Sequence, residues 1–373
     1  MQEGHWYQLN EPDQVDSPAL LVYPARILMN IREMIRIAGD AERLVPHVKT
    51  HKMSAVIKLQ LQAGIHRFKC ATIAEAEMVA EAGASEILLA YQLNKTKAER
   101  FLKLIAAFPS VRFASLVDNL ESAGMLDGLY EKADRRGTIF IDVDNGMHRT
   151  GFPAGDDLVD FYRKVSMFPH LAVGGFHVYD GHIHEKQFAE RKALCLQAFE
   201  PVEKAITTLK SSGSGPIEVI AGGSPTFPIH AQNPAVSLSP GTSLLWDWGY
   251  QALLPEQPFI QAAVLLTRVI SKNTPGQLTT DLGHKSVAAE NSITHRVSFL
   301  NLDHYEVYAQ SEEHLVIKVQ ETDRQRLQIG DVLYGVPYHI CPSVALYEAA
   351  QAVEDGKVTA QWPVEARNRQ NHF

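Results

Sequence analysis

The stretch Pro46-His47-Val48-Lys49-Thr50-His51-Lys52 puts two lysines and two histidines within seven residues. Charged side chains seldom enter an apolar core unless they are paired or used. Lys49 follows Val48, the last apolar residue of a run that begins at Arg43. An amine partly withdrawn from water there binds its proton less tightly and can attack an aldehyde. The plainer alternative is a solvated lysine paired with an acid, and Lys52 is the competing amine. His47 and His51 flank Lys49, and His51 is read as a side chain that orients Lys49 or a substrate.

Two glycine-bearing stretches lie downstream, Gly222-Gly223-Ser224-Pro225-Thr226 and Ser239-Pro240-Gly241-Thr242. Glycine lets backbone N–H groups approach an anion, and hydroxyls add donors. A reactive lysine plus two phosphate-cradling turns describes pyridoxal 5'-phosphate, which offers an aldehyde and a phosphate. An aldolase-type lysine acting on a phosphorylated sugar is the rival from the same features. Near the end, His339-Ile340-Cys341 pairs imidazole and thiol. On extended backbone, alternation puts both side chains on one face. Nitrogen and sulfur donors together favour zinc, with open positions left for water or substrate.

Elements must hold these residues. From Ala19 onward, apolar runs of strand length alternate with amphipathic helical stretches, in seven or eight units of about 20–25 residues, a spacing that implies a parallel sheet. Eight such units favour a closed (β/α)8 TIM barrel over an open sheet, with reactive residues at the C-terminal ends of its strands. Lys49, Asp144–Gly151, Tyr179–His182, Gly223–Thr226 and Pro240–Thr242 all follow apolar runs and so share that rim. After Pro255 the chain turns rich in Val, Ile and Tyr with turn residues between, the texture of a β domain. The expected division is a barrel over 19–254 and a β domain over 255–373, to which residues 1–18 add a strand.

Of the 373 residues, 45% are hydrophobic, enough for a large core; the net charge of −8 supplies no basic field for nucleic acid or anionic lipid. No run approaches the roughly 18 apolar residues of a spanning helix. The start has neither a basic region nor an apolar core, so no signal peptide is expected. Three scattered cysteines, Cys70, Cys195 and Cys341, argue against a disulfide framework and for a reducing compartment, hence a cytoplasmic protein.

With these motifs assembled, PHVKTHK, the segment Asp142–Pro153, the two glycine turns and His339-Ile340-Cys341, the chain resembles the D-threonine aldolase and D-serine dehydratase-like family, from about Asp16 to Leu346. That resemblance implies the alanine racemase type of barrel with a C-terminal β domain, and pyridoxal phosphate linked to Lys49. It places Arg149 toward the cofactor's phenolic oxygen, Tyr179 against its ring and His182 close by. Ser224, Gly241 and Thr242 would hold the phosphate, with Thr226 in the same turn. An ion pair of Arg149 with Asp142 or Asp144 is the plainer reading of that arginine. His339 and Cys341 would hold a divalent metal, zinc first and manganese or magnesium next, on the β-hydroxyl of a small D-amino acid. The resemblance also implies a homodimer. One departure stands out: alanine racemases place an arginine toward the pyridine nitrogen, and none occurs here between Gly213 and Thr242.

A bound D-3-hydroxy amino acid then has two outcomes. Loss of the hydroxyl proton breaks Cα–Cβ and gives glycine and an aldehyde, the expected D-threonine aldolase-type reaction. Loss of the Cα proton expels the hydroxyl and gives a 2-oxo acid and ammonia, as in a dehydratase acting on D-serine or D-3-hydroxyaspartate. Cys341 favours the second, and the rim of Asp180, His182 and His184 offers bases for the first. A racemase needs a second base, and a non-catalytic cofactor-binding protein would lack the β domain.

Overall fold

The computed structural model describes residues 5–370 and residue 372. The chain divides into two compact units: Met1–Glu33, Thr50–Val56 and Thr242–Arg367 form one, and Met34–Lys49, Ile57–Gly241 and Asn368–Phe373 form the other. The first strand, β1 (Ala19–Val22), was expected to open the barrel. It instead pairs antiparallel with the strand Ala263–Ser271 and parallel with Ala349–Glu354. All four of its residues are buried. An unbroken apolar tetrapeptide does not tell which sheet will cover it.

The second unit carries the parallel strands β2 (Arg67–Cys70), β3 (Glu86–Gln92), β4 (Arg112–Val117), β5 (Gly137–Asp144), β6 (Phe152–Pro153), β7 (Leu171–Val178), β8 (Glu218–Ala221) and β9 (Val236–Leu238). Their order is β2-β3-β4-β5-β7-β8-β9, with the two-residue β6 beside β5. Residues 44–47 bond to both outer strands. Val45 N–H donates to Leu238 O at 2.8 Å and His47 N–H to Pro240 O at 2.9 Å, while Lys69 N–H donates to Pro46 O at 3.0 Å. That segment takes the eighth place and closes the (β/α)8 barrel. Helices between strands start on polar caps: Thr72 accepts from Glu75 N–H at 3.1 Å, and the Glu75 carboxylate accepts from Ala71 N–H at 2.6 Å, a reciprocal cap.

Inside the barrel an apolar layer of Val45, Leu88, Ala114, Leu116, Phe140 and Ile220 packs together. Two residues beyond Phe140 on the same face of β5 stands Asp142, and there the interior turns polar. This change of layer is what gives the rim its chemistry.

The first unit holds β1 with β10 (Ala263–Ser271), β11 (Gln277–Thr280), β12 (Val297–Phe299), β13 (Tyr305–Gln310), β14 (Leu315–Val319), β15 (Val332–Pro337), β16 (Ala349–Glu354) and β17 (Lys357–Pro363). The order is β13-β14-β11-β10-β1-β16-β17, with β15 paired to β10 and β12. The β texture after Pro255 is therefore a real sheet. Residues 5–18 add core rather than a strand: Tyr7, Leu9 and Val15 pack with Leu21, Val264 and Tyr334. Residues 1–4 lie outside the described residues. No described helix is long and apolar enough to cross a membrane.

Candidate active site

In the barrel unit, Lys49 lies in a single helical turn, Val48–Thr50, directly after the closing segment. The Nδ1 of His47 accepts from Lys49 N–H at 3.3 Å and so fixes that turn. The Lys49 Nζ lies 5.7 Å from the ring centroid of Tyr179, and Lys49 itself is half-buried. Arg149 Cζ lies 5.3 Å from the same centroid. A third cation, which the sequence reading did not single out, joins them: Lys69 Nζ at 5.5 Å.

Tyr179 is held by close backbone approach on two sides. A Cβ on Gly181 would fall 2.5 Å from its ring and hydroxyl, and one on Gly223 would fall 3.0 Å from its Cε2. A side chain at Gly181 would force this ring to shift, and one at Gly223 would crowd it. The two glycine turns meet, since Gly241 N–H donates to Ser224 Oγ at 3.4 Å. Ser239 anchors the second turn, its Oγ donating to Gly222 O at 2.8 Å.

Beneath Tyr179 runs a polar belt. Asp142 Oδ2 accepts from Gln92 Nε2 at 2.6 Å and Thr150 Oγ1 at 2.9 Å, and Asp142 Oδ1 pairs with His177 Nδ1 at 2.7 Å. Lys69 Nζ continues it, 3.4 Å from His177 Nε2 and 2.6 Å from Ser239 Oγ. Burial, then the charge of Lys69, lowers the His177 pKa, so a neutral ring donates from Nδ1 to Asp142 and accepts at Nε2. Asp142 itself stays ionised: burial works against that, but the His177, Thr150 and Gln92 bonds outweigh it.

Arg149 has no carboxylate partner among the described residues, because Asp142 is bound as above and Asp144 holds His148 Nδ1 at 3.0 Å. The ion-pair reading of Arg149 is not what the geometry shows. Asp180, expected as a rim base, is buried and accepts from Thr226 Oγ1 at 2.7 Å and pairs with His230 Nε2 at 2.7 Å. Thr226, expected at the phosphate, thus spends its one hydroxyl proton on Asp180, with Gly223 N–H bonded to its oxygen at 3.2 Å. His182 packs against Gly146, where a Cβ would lie 2.8 Å from its Nε2, and its buried Nδ1 has no partner among the described residues.

A separate cluster stands in the unit with the β sheet. His339 Nδ1 bonds Glu290 Oε1 at 2.6 Å, which leaves Nε2 to meet Cys341. Cys341 Sγ lies 3.3 Å from Thr50 Oγ1 and 3.4 Å from Thr242 Oγ1. Thr242, also expected at the phosphate, therefore turns its hydroxyl to this thiol. The pair does not lie on one extended stretch, as alternation would need. His339 is extended, but Cys341 sits in the short helix Ile340–Val344, whose first N–H is held by the buried Asp247 at 3.0 Å. The two side chains meet all the same. Burial would lower the His339 pKa, yet the Cys341 and Glu290 bonds push it up to about 9. Burial would raise Cys341, and the His339 bond pulls it below the ordinary thiol range. An imidazole whose far nitrogen is fixed by a carboxylate, beside an easily ionised thiol, is a donor pair suited to zinc.

In the same unit His51 is fully buried, with Nδ1 accepting from Met53 N–H at 3.1 Å and Nε2 without a hydrogen-bond partner among the described residues. Burial lowers its pKa to about 3. It is a neutral donor and not an acid.

Three basic side chains around one aromatic ring, with the nearby Asp142 and Asp180 already engaged, fit a planar anionic group on Lys49. Residues 22–246 match the family model of the alanine racemase N-terminal domain, and residues 262–353 that of a putative serine dehydratase domain. The chain is 25% identical over 371 residues to a 3-hydroxy-D-aspartate aldolase of Paracoccus denitrificans (strain Pd 1222), covering 96% of this chain and 94% of that protein. It is 26% identical over 360 residues to a D-threonine aldolase of Arthrobacter sp, covering 95% and 93%. Among solved structures, D-threonine aldolase from Filomicrobium marinum superposes with a TM-score of 0.87 at 25% identity, covering 95% of this chain and 96% of that one.

Proposed function

Because this chain belongs to the alanine racemase N-terminal domain family and carries a putative serine dehydratase domain after it, we propose that Lys49 binds pyridoxal 5'-phosphate and that the enzyme, a lyase, cleaves D-3-hydroxy amino acids by retro-aldol reaction to glycine and an aldehyde. The observation that carries this reading is the gathering of Lys49, Lys69 and Arg149 around Tyr179, beside the joined Ser224 and Gly241 turns. When bound, the cofactor supplies an electron sink for bonds at the substrate's α-carbon. A divalent metal, zinc by donor type, would supply a Lewis acid for the hydroxyl oxygen from His339 and Cys341.

The chain's own groups do the rest. Lys49 Nζ would bind the aldehyde carbon, the turns joined at Ser224 and Gly241 would hold the phosphate, and Arg149 would hold the phenolic oxygen. Tyr179 would lie against the ring, with the buried belt of Asp142, His177 and Lys69 close by. Glu290 keeps the His339 Nδ1 proton so that Nε2 stays a ligand. His182 is the proposed acceptor of the hydroxyl proton, in place of the engaged Asp180.

Dehydration is the second reading, favoured by Cys341, whose thiolate suits zinc and a departing hydroxide. A homodimer is proposed on the resemblance, and a cytoplasmic location because three free cysteines suit a reducing compartment. Incubation with D-threonine, D-serine or 3-hydroxy-D-aspartate, with zinc or manganese added, separates the readings. Glycine supports the aldolase, and pyruvate, 2-oxobutyrate or oxaloacetate the dehydratase. Turnover that persists through stripping of both cofactor and metal contradicts both.

A further inference from the structure

Lys69 is 2% exposed, an unusual place for an ammonium group. No carboxylate lies within ion-pair distance of it among the described residues. Its Nζ has Ser239 Oγ at 2.6 Å and His177 Nε2 at 3.4 Å, both neutral. The acids that face it are spoken for: Asp142 by His177, Thr150 and Gln92, and Asp180 by His230 and Thr226. The other charged groups that face it, Lys49 and Arg149, are cations clustered with it around the Tyr179 ring. A buried lysine without a counter-ion is costly to keep charged. Its geometry makes sense if an anion completes it.

We propose that Lys69 is the buried counter-charge of the cofactor site, an amine that takes up a proton when the anionic cofactor binds and gives it up when the cofactor leaves. This rests on the reading of Lys49 as the cofactor lysine. Lys69 is a positioning residue here: it acts on the site's charge balance and, through Ser239, on the turn that ends in Gly241. Burial and then the Lys49 charge lower its pKa to about 7, while Asp142 and Asp180 raise it. At pH 8 the free site then holds Lys69 mostly neutral, and an added anion moves it back to the ammonium form. Lys69 itself makes and breaks no bond but N–H, and its proton comes from buffer; the condensation at Lys49, with its release of water, is common to all the variants compared.

The test is calorimetric titration of the full chain, freed of cofactor with hydroxylamine, with pyridoxal 5'-phosphate at pH 8. Two buffers of different ionisation enthalpy give the proton count. The wild type is expected to take up roughly half a proton to one proton more than Lys69→Met, from a pKa moved across the working pH. Lys69→Arg, charged throughout, is expected to bind the cofactor with no extra uptake, which guards against a Met variant that merely folds poorly. Borohydride trapping in parallel shows which lysine the cofactor holds. Equal proton counts in all three proteins, with trapping at Lys49, overturn the proposal and leave the cofactor reading intact. Trapping at Lys69 overturns the proposal by making it the linking amine. A wild type that binds no cofactor overturns both.

Discussion

The neutral, sealed state of His51 has a measurable cost in acid. Its side chain is fully buried, its Nδ1 is taken by Met53 N–H, and its pKa is lowered to about 3. In the unfolded chain a histidine titrates near 6.5. The unfolded state therefore binds the extra proton between pH 6.5 and 3, and the folded state does not. Stability from this group is complete above 6.5 and is lost as the pH falls toward 3. At pH 5 the gap of 1.5 units amounts to about 2 kcal/mol. His51→Asn keeps an acceptor for Met53 N–H and removes the titration. Its cavity costs the same at every pH, so the slope and not the intercept carries the test. Urea unfolding at pH 7.5, 6 and 5 should show the wild type losing about 2 kcal/mol more than His51→Asn across that range. If the two proteins lose stability in parallel, His51 is not sealed as described, and the argument that it serves as a neutral donor falls with it.

Gly181→Ala would put a methyl 2.5 Å from the Tyr179 ring, so the ring must move by about 1 Å; cofactor affinity should drop several-fold while circular dichroism stays unchanged. Glu290→Gln removes the carboxylate on His339 Nδ1, and metal affinity read by competition with a chelating dye should fall about 10- to 100-fold. Thr226→Val leaves Asp180 Oδ1 and Gly223 N–H short of a partner, and should cost about 1–3 kcal/mol in chemical unfolding.

Much of the barrel was legible because parallel strands buried on both faces appear as plain apolar runs, with helices capped by Thr72, Asn94 and Asn119 between them. The partner of β1 was not, since Leu20 to Val22 are apolar throughout and pairing is a tertiary fact. At the site, Lys49, Arg149, Tyr179, Ser224 and Gly241 come together where the glycine turns suggested. Lys69 was overlooked because it sits inside a strand, Arg67–Cys70, where alternation marks the face but not what lies across the barrel. Its signal was available: a lysine between Phe68 and Cys70, both buried, has little choice but to face inward. Thr226, Thr242 and Asp180 share an ambiguity that no sequence pattern removes. A hydroxyl or carboxylate near a glycine turn serves as a ligand donor or as an internal brace, and only the hydrogen-bond partners tell which.

The most direct test of the central claim is chemical. The purified protein, loaded with pyridoxal 5'-phosphate and reduced with borohydride, is digested and its modified peptide sequenced. A pyridoxyl group on Lys49, and loss of the bound-cofactor absorbance in Lys49→Ala, is the expected result. A label on Lys52 or any other lysine, or a Lys49→Ala protein with its cofactor spectrum unchanged, contradicts it.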